Sequence, residues 1–101
     1  MSALIFASKS GSVTDGELKQ RLSVQFDDFD LVLLNLSEHT IYFEANQVIR
    51  LVRTHDGPVF LVVDERNPVF AAVVSAKLAR FVDSFQVMQW EGKRFRVLRV
   101  P

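Results

Sequence analysis

Three apolar runs of this chain each stop at a small polar cluster, and a helical pattern follows each cluster. Ala3–Ala7 runs into Ser8-Lys9-Ser10-Gly11-Ser12, Leu31–Leu36 into Ser37-Glu38-His39-Thr40, and Val59–Val63 into Asp64-Glu65-Arg66-Asn67. Short apolar runs bounded by polar turns read as strands, and near-continuous ones read as strands buried on both faces. Run, turn and helix in repeated succession predict a parallel sheet with helical crossovers.

The helices are marked by spacing and caps. Thr14 and Glu17 have the separation of a capping box, and Leu18 and Leu22 fall on one face of the helix that follows, which Gly16 weakens. The acidic turn Asp27–Asp30 leads into the second strand. Ile41, Ala45, Val48, Ile49 and Val52 predict a helix over 41–54, with Glu44, Gln47, Arg50 and Arg53 on its other side. Asp56-Gly57-Pro58 breaks the chain, and Asn67-Pro68 starts a third helix over 68–82, with Asn as cap and Pro in the first turn.

The run Val69–Val74 leaves that third helix almost no polar face in its first half. A helix apolar all round needs cover on more than one side. A second helix or a C-terminal hairpin supplies it in one reading. A second copy supplies it in the other, through Val69, Phe70, Val73 and Val74. Read instead as an extra strand, the run would give an α+β meander; the Asn67-Pro68 start favours the helix.

Phe85–Trp90 and Arg94–Val100 flank Glu91-Gly92-Lys93, the pattern of a β-hairpin. A right-handed crossover through the third helix lets the fourth strand continue the parallel sheet. The fifth is then an antiparallel edge, which Arg94, Arg96 and Arg99 guard against pairing with another sheet. The expected architecture is a small α/β domain of three α/β/α layers, Rossmann-like, in the order β-α-β-α-β-α-β-β, with strand 1 between strands 2 and 3. The sheet is mostly parallel with an antiparallel hairpin at one edge.

The 101 residues are enough for one domain spanning 1–101, and an apolar content of 49% supports a core without staples. With no cysteine, disulfides, thiolate metal sites and a catalytic thiol are excluded. That absence fits the cytoplasm, and the expectation is a soluble cytoplasmic protein without a signal peptide or membrane segment. Zero net charge argues against general nucleic-acid affinity. The charge is uneven, however. Residues 1–50 hold four basic against seven acidic residues, net −3, and residues 51–101 hold eight against five, net +3. The basic half suits an acidic partner, including the acidic half of a second copy.

Ligands of parallel sheets bind at the strand ends, so the polar clusters define the candidate crevice: Ser8, Lys9, Ser10, Gly11, Ser12, His39, Thr40, Asp64 and Arg66. Ser8, Ser10, Gly11 and Ser12 supply the hydroxyls and the glycine that an anion site at a helix start needs. The stretch Ala3–Ser12 resembles the opening of flavodoxins, where such a loop holds the flavin phosphate. The resemblance implies a phosphate cradle at those four residues. It ends at Val13, where the family has another hydroxyl, and neither Trp90 nor Tyr42 stands in a context suited to stacking a flavin ring. No cofactor is therefore expected.

Ser8, His39 and Asp64 share the expected rim, but Ser8 lacks the Gly-x-Ser-x-Gly frame of a nucleophile elbow, so no catalytic set is assigned. Asp64-Glu65, with Glu38 and Lys9 from neighbouring loops, is a magnesium-site pattern in outline only. Two distant histidines without thiols exclude zinc, and no metal is expected. The reading that best fits is a non-catalytic domain acting through self-association, as a dimer, or through a protein partner. The alternative is a sensor or enzyme binding a phosphorylated small molecule such as a nucleotide at the crevice. A third reading is nucleic-acid binding through Arg94, Arg96 and Arg99.

Overall fold

A computed structural model describes residues 2–9, 14–34, 41–63, 68–82, 84–90 and 95–100, with the side chains at 41–45, 68, 90 and 98–100 outside the description. The elements in order are β1 (Ala3–Ser8), α1 (Asp15–Gln25), β2 (Phe29–Leu34), α2 (Ile41–Thr54), β3 (Val59–Val63), α3 (Pro68–Phe81), β4 (Phe85–Trp90) and β5 (Phe95–Val100). They form one five-stranded sheet in the order β2-β1-β3-β4-β5. β1 pairs in parallel with β2 and β3, β3 in parallel with β4, and β5 returns antiparallel along β4. This is the expected α/β architecture, with β1 between β2 and β3.

Crossover handedness explains the layers. The step from β1 to β2 and the steps from β2 to β3 and β3 to β4 run in opposite directions across the sheet. Right-handed crossovers therefore put α1 on one face and α2 with α3 on the other. The core divides accordingly. Ala3, Ile5 and Ala7 of β1 pack with Leu18 and Leu22 of α1, Phe60, Val62, Met88 and Phe95. The alternate residues Leu4 and Phe6 pack with Val48 and Val52 of α2, Phe70, Val74 and Leu78 of α3, Leu61 and Phe85. All six residues of β1 are buried, as the central strand of a two-sided sheet requires. Burying a Leu, Ile or Phe side chain contributes about 1.5–3 kcal/mol, so these two layers carry the fold.

α1 starts as its sequence directs. Thr14 Oγ1 accepts from the Glu17 amide at 3.3 Å, satisfying one of the first-turn N–H groups. The Glu17 carboxylate meets the Arg21 guanidinium one turn on, at 3.7 Å.

Two expectations need correction. β2 begins at Phe29, so Asp30 lies inside the strand rather than in the preceding turn. And β2 is covered only in part on its two faces: Val32 and Leu34 pack against one core and Phe29, Leu31 and Leu33 against the other, but Asp30 is exposed and only Leu34 is fully buried. An edge strand tolerates an acid because part of it faces water. Among the described residues, no helix is long and apolar enough to cross a membrane.

Candidate functional site

The parallel registers bring the strand ends to one rim. Ser8 stands opposite Leu34 of β2, and Phe6 stands opposite Leu61, which places Val63 of β3 beside Ser8. The crossover direction reverses between β1 and β3, and at such a switch point the loops diverge and leave a crevice. Ser8 is buried there, at 8% exposure, whereas Lys9 is exposed and its amide donates to the Leu34 carbonyl at 3.0 Å. The ladder between β1 and β2 thus extends one residue beyond Ser8 before the chain turns. A hydroxyl and an ammonium at a switch point are groups suited to an anion.

Ser10, Gly11, Ser12, His39, Thr40, Asp64 and Arg66 lie outside the described residues. Among the described residues, no group of three His, Asp or Glu side chains is placed to hold a metal ion.

The candidate interface on α3 divides in two. Phe70 and Val74 point into the sheet and are core, with Phe70 at 1% exposure, so they are not available to a partner. The reason is the phase of the helix: Phe70, Val74 and Leu78 recur every four residues and form the inward stripe. Val69 is exposed at 56% and Val73 is half-buried. Ala72, Ala76 and Ala79 are exposed with Val69, Lys77 is half-buried beside Val73, and Arg80 is the first exposed charged residue of that outward row. The α2 helix packs beside α3 and supplies part of the cover that the sequence requires.

Of the hairpin arginines, Arg96 separates from the aromatic core. Phe95 is buried under α1, while Arg96, the next residue, is exposed. Arg94 and the Arg99 side chain lie outside the description.

Sequence reading missed a cluster at the opposite end of the molecule. α2 and α3 both run antiparallel to β1, β2 and β3, so their C-termini meet beside the starts of those strands. There the Phe81 ring, 41% exposed, lies 5.9 Å from the Arg53 guanidinium carbon and 5.8 Å from that of Arg80. Arg53 belongs to α2 and the other two to α3, and nothing local to either helix announces the meeting. The signal available in the sequence was the shared direction of the two helices, each ending in an arginine. Comparison of the chain with protein-family models, with curated proteins and with solved structures found no match.

Proposed function

We propose that this chain is a non-catalytic domain that acts by association with itself or with a protein partner, using the α3 side of the sheet. The observation that carries the reading is the outward row of α3, where the exposed residues Val69, Ala72, Ala76 and Ala79 present no charge before Arg80, with half-buried Val73 and Lys77 along its flank. Ordinary surface helices bear charged residues on that side. A charge-free row of small and β-branched residues lets another backbone approach closely and loses little side-chain entropy when covered. The test is mass measurement in solution over a range of concentrations, with Val73→Glu as probe. A concentration-dependent increase in mass that the variant lacks supports the reading. A wild type that stays monomeric at the highest concentration removes self-association.

A second reading is favoured by Ser8, a buried hydroxyl at the end of β1 on the switch point between β1 and β3. In this reading the chain binds a phosphorylated small molecule such as a nucleotide at the strand-end crevice. Thermal shift with inorganic phosphate, nucleotides and flavin mononucleotide tests it. Stabilisation that Gly11→Asp abolishes is the expected result, and no shift with any of these ligands ends it.

A further inference from the structure

The end of the molecule opposite the crevice carries two charge clusters of opposite sign. Asp27 and Asp28 are exposed in the turn between α1 and β2. Arg53 and Arg80 are exposed at the ends of α2 and α3, with their guanidinium carbons 5.9 Å and 5.8 Å from the centre of the Phe81 ring. Among the described residues neither guanidinium meets a carboxylate. The start of β1 joins the two sides: the Ala3 amide donates to the Asp28 carbonyl at 3.2 Å and the Leu4 amide to the Pro58 carbonyl at 3.0 Å. Asp28 and Pro58 therefore flank β1 on either side, roughly 10 Å apart at ordinary strand spacing. The aspartates close the turn that leaves α1, the arginines end α2 and α3 on the other face of the sheet, and exposed Asp56 follows α2 in the turn before β3.

We infer that this end is a self-complementary docking surface, on which Arg53, Phe81 and Arg80 of one copy receive Asp27 and Asp28 of a second. Placement on one end is what makes the contact close. A two-fold axis through that end lays the acidic side of each copy on the basic side of the other, so each pairing occurs twice and the assembly stops at two. Parallel stacking would place like charges together. The whole chain has zero net charge, so no overall repulsion opposes the approach. Phe81 supplies the apolar centre. Guanidiniums held near an aromatic ring by cation–π attraction keep their N–H donors for other partners, and those donors suit carboxylates. The surface is contiguous with the outward row of α3, which ends at Arg80. The inference rests on the proposed association and adds the identity of the partner and the place of contact.

Because the pairs are at the rim of water, the dimer is weak and salt-sensitive. The experiment is sedimentation of the full chain at low and high salt, for wild type and for two charge-reversed variants. Arg53→Glu with Arg80→Glu makes this end acidic on both sides, and Asp27→Lys with Asp28→Lys makes it basic on both sides. Each variant alone is expected to be monomeric, and an equimolar mixture is expected to recover the dimer. Wild-type dissociation should strengthen about tenfold or more between low and high salt. Circular dichroism of each variant confirms folding, and recovery in the mixture cannot come from misfolded chains. A third variant, Lys19→Glu, reverses an exposed charge on α1 outside both surfaces and should leave the dimer intact. If wild type dimerises, ignores the reversals and is broken by Val73→Glu, the docking end is wrong while association through α3 stands. A wild type that remains monomeric throughout overturns both.

Discussion

The side-chain amide of Gln25 pairs with both backbone groups of Phe95. The Phe95 amide donates to Gln25 Oε1 at 3.0 Å, and Gln25 Nε2 donates to the Phe95 carbonyl at 3.4 Å. One glutamine at the end of α1 thus acts as a short stand-in for a sixth strand where β5 begins. β5 is an edge strand, and an edge strand offers unpaired backbone groups to any neighbour. The pairing also ties α1 to the hairpin, joining the first helix to the last strand across the face where Phe95 is buried.

Replacing Gln25 with Ala removes both bonds and leaves two part-buried backbone groups without that partner. The expected loss is about 1–3 kcal/mol in urea unfolding. Amide hydrogen exchange is the more specific readout: Phe95 should lose protection while residues of β1 keep theirs. Equal loss of protection in β1 and at Phe95 would mean that the substitution acts on the whole fold and not on this edge.

α1 offers two opposed changes in one turn. Thr14→Ala removes the acceptor of the Glu17 amide and should cost about 1 kcal/mol. Gly16 has open space around the position where a Cβ would stand, with no atom within 4 Å. Gly16→Ala should therefore stabilise by about 0.5–1 kcal/mol, since the helix keeps its geometry and the unfolded chain loses freedom. Thermal unfolding of the two variants should move in opposite directions. A destabilised Gly16→Ala would show that this turn is not held as a helix in solution.

Neighbours on α3 should differ sharply. Phe70→Ala empties a fully buried site between α3 and the sheet and should cost about 3–5 kcal/mol. Val69→Ala removes an exposed side chain and should fall within about 0.5 kcal/mol of wild type. Comparable losses at the two positions in chemical denaturation would contradict the helix phase described here.

The strands and helices were legible because each apolar run meets Gly, Pro or a polar cluster, and β3 and α2 fall on the bounds their patterns predict. The partial exposure of β2 was not legible, because a near-continuous apolar run does not record how far the flanking helices cover it. The inward face of α3 was hidden for another reason. Val69–Val74 contains no polar residue to mark the outer side, so only packing against Leu4, Phe6 and Leu61 distinguishes Phe70 from Val69. At the rim, Ser8 and Lys9 stand where strand-end logic puts them. The Arg53–Phe81–Arg80 cluster arises from two helix ends meeting in space, a relation that spacing within either helix cannot express.

The last expectation concerns the other edge of the sheet. β2 reads Phe29-Asp30-Leu31-Val32-Leu33-Leu34, and among the described residues no strand pairs with its outer edge. Without Asp30 the strand would be an uncharged apolar segment of the kind that pairs with copies of itself. The exposed carboxylate blocks such pairing, since stacking strands in register would bring like charges together. Asp30→Val should leave native stability nearly unchanged, because a β-branched residue suits a strand as well as Asp does or better. Its effect should fall on solubility: light scattering at raised temperature should show faster aggregation than wild type. Asp30→Lys restores a charge of the other sign and should restore solubility with it. If Asp30→Lys aggregates as fast as Asp30→Val, charge repulsion is not what protects this edge, and the carboxylate serves β2 through its local contacts instead.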